Sequence, residues 1–497
     1  MKNLLNQLNN FCCNNRNILF YLFFFVFYLM LGFIFTGFNN SYIHHLNLTL
    51  YSDTARVYHE MVTTVGPHHE EFSHPFFALI SQSCVALIKL FIPSTRFSII
   101  IFISLCSVSS IFLIKKCIEK LTDNISSALI ISLIYGFSFS TLVYGTMPET
   151  YLLSSLTNLL CIYYIIHLIK SDVKELTIKN IIVLVGLGLL NFGILYSNIL
   201  LDIIYIVFLL INVYSKNIKQ ILVTLLKVII LFAVSGIFLS LFQKLMFPEH
   251  DMFFWHLAVP AEHYFNFNLD FNKLLWVIKC NYFNCLYCFN IQTLKGNTVL
   301  ALEHAGLFKL ISALLFYGLI VFNYIKNHKN ITDNLKFAYL FIFILGFNLL
   351  SNLVFNVSEC FLFSQTTLIF IMLLCGIILG NAKDNILKWI CYLLILTELI
   401  QNTRVFKNII YPHISSLNTQ AAFNVLIPVF YSIITGLSFF ILILIFKNLL
   451  INKNILNETL ENKFFITLSL FFGYMILFII FNVMFQGYED CFIYART

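Results

Sequence analysis

The sequence predicts an all-α, polytopic membrane protein, and three observations carry that prediction. Of 497 residues, 60% are hydrophobic and only 11% are charged, an apolar share well beyond that of soluble domains. The apolar residues gather into runs long enough to cross a bilayer as helices. The charges between the runs are sorted by side, as they are around membrane spans. The net charge of +7 is compatible with lysines placed in cytoplasmic loops, and its sign alone decides nothing; no nucleic-acid partner is expected.

Taken in order, the windows fall at roughly 18–37, 97–114, 126–145, 151–168, 181–197, 199–214, 221–243, 307–323, 337–355, 361–380, 386–400, 425–446 and 464–485. They make about 13 transmembrane helices in a single integral-membrane domain over 1–497. The first run, Asn17 to Phe38, is too long for a signal-peptide core and has no small-residue cleavage site behind it, so it is expected to stay as a span.

With the N-terminus in the cytoplasm, more than half of the 30 basic residues fall on the inner side, Lys115, Lys116, Lys120, Lys170 and Lys174 among them. Most of the acids and nearly all of the 13 histidines fall outside. These are the side chains that move protons and bind metals, so chemistry is expected on the outer face.

Counting Pro75 to Ile92 as a span would reverse that sorting, so it is read as an interfacial helix within a first outer loop, 38–95. Its Phe76, Phe77, Leu79, Ile80 and Leu87 are expected to be buried, with Ser81, Gln82 and Lys89 toward headgroups. Pro93 ends it. A second long outer segment, 244–305, reads as a cap and contains CNYFNCLYC, where a disulfide among Cys280, Cys285 and Cys288 is open.

The first loop is the polar centre of the chain. It holds Asp53, Arg56, Glu60, Glu70 and Glu71, together with His59, His68, His69 and His74, and Arg96 follows at the next span. Ionisable residues crowded between apolar spans mark a water-filled site at a membrane face.

The order Asp53, Arg56, Glu60-Met61, then His74-Pro75 opening an apolar helix, resembles the GT-C superfamily of integral-membrane glycosyltransferases. The nearest branch is that of the aminoarabinose and protein O-mannosyl transferases. The likeness continues through Arg96, the basic KKCIEK turn and Glu149 in MPET, over the first third of the chain. Asp53 is followed by Thr54 where family members often carry a second acid, and Glu70 or Glu71 could fill that role.

The resemblance implies transfer of a sugar from a polyprenyl-phosphate donor to a lipid, polysaccharide or protein acceptor on the periplasmic or luminal face, in a bacterial inner membrane. It implies catalytic roles for Asp53, Glu60 and Glu149. Asp53 would be the base for the acceptor hydroxyl, although Ser52 and Asp53 also read as a helix N-cap with an Arg56–Glu60 pair behind it. Arg56 and Arg96 suit the donor phosphate, and equally suit headgroups. Arg404 and Lys407 read the same two ways.

Glu71 and His74 are the preferred ligands of a divalent metal, though a hydrated turn explains the same cluster. No nucleotide cofactor is expected, because the sugar-phosphate bond already carries the energy. Asp202 and Glu398 read as structural pairs within spans. The competing functions are a transporter or flippase of lipid-linked sugars, and an outer-face oligosaccharide ligase or polymerase.

Overall fold

The computed structural model describes residues 16–33, 53–63, 73–215, 217–249, 270–286, 290–294, 299–303, 307–327, 331, 334–354, 360–381, 390–391, 397 and 402. Every predicted window up to 361–380 carries helix. The last two windows lie outside the described residues, as does most of 386–400.

The elements are α1 (Arg16–Gly32), α2 (Thr54–Glu60), α3 (Phe77–Lys89), α4 (Thr95–Thr122), α5 (Ile125–Phe137), α6 (Phe139–Tyr144), α7 (Thr150–Lys170), α8 (Ile178–Ile194), α9 (Asn198–Tyr214), α10 (Ile218–Met246) and α11 (Phe271–Ile278). After α11 comes a π-helical turn, Lys279–Phe283. Then follow β1 (Asn290–Leu294), β2 (Val299–Glu303), α12 (Leu307–Asn327), α13 (Leu335–Val354) and α14 (Ser364–Gly380). The strands form an antiparallel hairpin pairing Asn290 with Glu303, and this hairpin is where the described residues depart from the all-α expectation.

Among the described residues four helices, α4, α7, α10 and α13, are long and apolar enough to cross a membrane, and several shorter apolar helices accompany them. The chain has the build of a helical membrane protein. At its centre α4 and α7 pack along each other, with α1, α5, α8 and α14 around them. By contrast, α10 is largely exposed and turns Phe238 and Leu245 outward, as a helix facing lipid does.

Caps and turns fix the ends. Ser94 accepts from Phe97 N–H at 3.5 Å to open α4 after Pro93. Asp123, in the left-handed region at φ 52°, closes α4, and Asn124 accepts from Ser127 N–H at 3.0 Å to open α5. At this end Lys120 Nζ lies 2.6 Å from His167 Nδ1, and Lys115 and Lys116 both reach Glu119, at 2.6 and 2.8 Å. The basic turn KKCIEK is therefore tied to the far end of α7.

Two expectations are corrected by packing. The window 126–145 is two helices, broken where Ser138 takes an extended conformation (ψ 147°). The first N–H groups of α6 are satisfied from far along the chain: Phe139 N–H donates to Leu286 O at 3.0 Å and Ser140 N–H to Cys285 O at 3.1 Å. An apolar bundle tolerates such a break only where another segment supplies the missing acceptors.

The interfacial helix forms as α3, but its faces differ from the reading. Ser81 is fully buried and Leu87 is 62% exposed, because α3 lies against α4 through Phe77, Ala78, Ser81 and Val85. Cys280 and Cys285 are buried free thiols, so no disulfide joins them, and Cys288 lies outside the described residues.

Candidate active site at the Asp53 end of the bundle

Asp53 immediately precedes α2, and its carboxylate does not cap that helix. Instead it accepts from Arg56 Nη2 at 2.9 Å, while Arg56 Nη1 stands 3.9 Å from Glu60 Oε1. One turn of helix thus places a guanidinium between two carboxylates, as the i,i+3 and i,i+4 spacing requires. The helix-cap alternative for the Asp53 side chain is set aside by this geometry, while the Arg56–Glu60 pairing is present.

The turn is anchored by a residue 96 positions away. Asp53 N–H donates to Glu149 Oε2 at 3.0 Å. The other oxygen, Oε1, accepts from Thr150 N–H at 2.9 Å, so the same carboxyl caps α7. Glu149 is only 2% exposed, whereas the Asp53 side chain is 28% exposed. Burial, and then the neighbouring charge of Asp53, push the Glu149 carboxyl up to about 7. The partly exposed acid is thus held in place by the buried one.

His74-Pro75 joins the site from a second direction. His74 Nδ1–H donates to Ile194 O at 2.7 Å, Phe76 N–H to Gly193 O at 2.8 Å and Tyr196 N–H to Ser73 O at 2.9 Å. These three bonds clamp 73–76 to the α8–α9 connection. Gly193 is required there, since a Cβ on it would stand 2.8 Å from Phe76.

Burial, followed by the nearby charge of Arg56, brings the His74 pKa down to about 3. The ring is therefore neutral, with Nε2 as its lone-pair nitrogen. Gln82 of α3 completes the support, donating to Glu60 O at 2.8 Å and to Thr63 O.

The structure brings Asp53, Arg56, Glu60, His74 and Glu149 together. Arg96 is half-buried in the first turn of α4, and no hydrogen bond or ion pair among the described residues links it to that group. Glu71, Glu398, Arg404 and Lys407 lie outside the described residues. Among the described residues no three His, Cys, Asp or Glu side chains converge as a metal set.

Asp202 forms no charge pair among the described residues. Its Oδ1 accepts from Asn191 Nδ2 at 2.9 Å. Asn191 in turn reaches Asn158 at 3.2 Å and accepts from Thr157 and Asn198, at 2.7 and 3.0 Å.

Sequence reasoning did not find Thr150 or Gly193, and it turned Gln82 toward headgroups where the structure bonds it to the Glu60 and Thr63 carbonyls. Gly193 left a trace in the LNFGILYSN stretch between two apolar windows. Comparison with protein-family models, with curated proteins and with solved structures finds no match for this chain.

Proposed function

We propose that the chain is a glycosyltransferase that takes a sugar from a polyprenyl phosphate and passes it to a lipid, glycan or protein acceptor at the periplasmic or luminal face. The observation that carries this reading is the Asp53–Arg56 pair, held by Glu149 at one end of the helix bundle. It joins a partly exposed carboxylate, suited to accept a proton, to the guanidinium that an approaching phosphate would meet.

In the proposed reaction the acceptor oxygen forms a bond to the anomeric carbon, the bond from that carbon to the phosphate oxygen breaks, and the phosphate leaves with the electron pair. The acceptor proton passes to Asp53. Glu149 and Glu60 are positioning residues, the first through the Asp53 backbone and the second through Arg56.

A transporter or flippase is the second reading, favoured by the helix break at Ser138, since broken helices line transport sites. The test is transfer from a radiolabelled panel of polyprenyl-phosphate sugars by the purified protein and by Asp53→Asn. Transfer that is present in the first and collapses in the second, at equal folded yield, supports the enzyme. Equal transfer by both removes Asp53 from the mechanism. No transfer by either, together with donor movement across vesicles, moves the assignment to the transporter.

A further inference from the structure

Helix α7 carries Glu149 at one end and Lys170 at the other, so 21 residues of helix, about 30 Å, separate the Asp53 turn from the opposite end of the bundle. There three helix ends bring basic side chains together. Lys120 stands in the last turn of α4, His167 and Lys170 in the last turn of α7, and Lys336 in the first turn of α13. Lys120 Nζ lies 2.6 Å from His167 Nδ1. Lys170 Nζ donates to Leu121 O of α4 at 3.4 Å and to Asn334 Oδ1, two residues before Lys336, at 2.7 Å. Lys170 thereby ties α4 to the start of α13, and its charge lies within electrostatic reach of Lys336.

Acids do not balance this group. Glu119 is taken by Lys115 and Lys116, at 2.6 and 2.8 Å. Asp172, also within electrostatic reach of Lys336, is taken by Lys174 at 2.6 Å. Among the described residues no carboxylate stands within ion-pair distance of Lys120, Lys170 or Lys336.

Helix ends account for two of the three lysines, since the C-termini of α4 and α7 carry partial negative charge that Lys120 and Lys170 offset. Lys336 is placed the other way. It sits at a helix N-terminus, where the dipole favours an anion, and it has a second cation near it. That placement is unfavourable for the side chains alone and becomes favourable once a negative group lies between them.

The surface beside Lys336 suits a lipid better than a soluble anion. Tyr339, Phe343 and Leu350 follow Lys336 at i+3, i+7 and i+14, which is one face of α13. All three are exposed, at 58, 60 and 65%. A phosphate held at Lys336 therefore continues into an apolar strip along a helix long enough to span a membrane. Lys120 Nζ lies 5.9 Å from the centre of the Tyr163 ring, and tyrosines collect at the headgroup depth of a bilayer.

We propose that Lys120, Lys170 and Lys336, with His167, bind the phosphate headgroup of an anionic phospholipid whose acyl chain lies along Tyr339, Phe343 and Leu350 of α13. Basic pockets between spans take such headgroups. The site is independent of the Asp53 end and of the reaction proposed for it.

The detergent-purified full chain is titrated with dioleoyl phosphatidylglycerol, with zwitterionic dioleoyl phosphatidylcholine and with water-soluble glycerol 3-phosphate, and bound lipid is counted by native mass spectrometry. Phosphatidylglycerol is expected to bind about tenfold more tightly than phosphatidylcholine, and Lys336→Gln and Lys120→Gln should each weaken it about fivefold. Lys174→Gln removes a charge that Asp172 already pairs, and should leave binding within about twofold. Lys336 is exposed, so Lys336→Gln keeps the test decisive should Lys120→Gln not fold.

The proposal is overturned if the two lipids bind alike. It is overturned too if Lys174→Gln weakens binding as much as Lys336→Gln, because the surface charge would then act as a whole. Displacement of the lipid by an equal concentration of glycerol 3-phosphate would also overturn it, by making the ligand a soluble phosphate.

Discussion

Glu149 and Asp202 are both acids buried in the helix bundle, and their surroundings give them different work. Glu149 accepts from two backbone N–H groups belonging to distant parts of the chain, and its neighbours include the charged pair Asp53 and Arg56. Asp202 accepts from Asn191 inside a knot of neutral side chains, Asn158, Asn198, Thr157 and Tyr205, on three adjacent helices. One acid fixes a loop to a helix end and faces ionised groups. The other shares an amide network that links α7, α8 and α9. A buried carboxyl marks function through what it holds in place and what it faces, and burial alone does not separate the two cases.

The largest expected effect breaks the comparison in activity. Asp53→Asn should lower sugar transfer by about 10²- to 10⁴-fold, the usual range for a positioned base, while Asp202→Asn should leave transfer within a few-fold. If Asp202→Asn proved the more damaging in the transfer assay, the division between reactive end and structural knot would fail.

The next effect is on stability. Asn191→Leu leaves Asn158, Thr157, Asn198 and Asp202 each short of a partner and should cost about 3 kcal/mol or more in reversible unfolding in detergent. Asp202→Asn, which keeps an amide oxygen for Asn191, should cost far less.

Gly193→Ala sharpens the view of the Asp53 end as a clamped loop. Its methyl meets Phe76 Cβ at 2.8 Å, so a loss of about 1–3 kcal/mol is expected, with faster amide exchange at Phe76 and Tyr196.

The smallest effect is on pH dependence. Glu149 is raised in the folded state from 4.5 to about 7, so its contribution is full below pH 4.5 and is lost as pH rises through about 7. His74 is lowered from 6.5 to about 3, so its contribution is present above 6.5 and is lost as pH falls toward 3. Glu149→Gln should flatten the first limb of the unfolding profile and leave the second. A profile unchanged in Glu149→Gln would show that the carboxyl is not held as the structure has it.

Much of this arrangement was legible in the sequence, and the gaps have physical causes. Spans were read from runs of apolar residues because crossing a bilayer demands length and hydrophobicity of each segment on its own. Asp53, Arg56 and Glu60 could be grouped because helical spacing brings i, i+3 and i+4 together. The faces of α3 were misread because Ser81 and Leu87 are sorted by where α4 lies, which their own pattern does not encode. The break at Ser138 was missed for a similar reason. Nothing in GFSFS demands it, and Cys285 and Leu286, which make it tolerable, lie far along the chain.

By itself, then, the sequence determined a helical membrane protein with its polar residues gathered in one early loop, because hydropathy and charge act locally and add up along the chain. The tertiary structure alone decided that Glu149 would hold Asp53, that His74 would clamp the loop to Ile194, and that Asn191 would gather Asn158, Thr157, Asn198 and Asp202 around it. Those relations join residues whose separation in sequence carries no signal, and only the packing of helices against one another sets which polar groups meet.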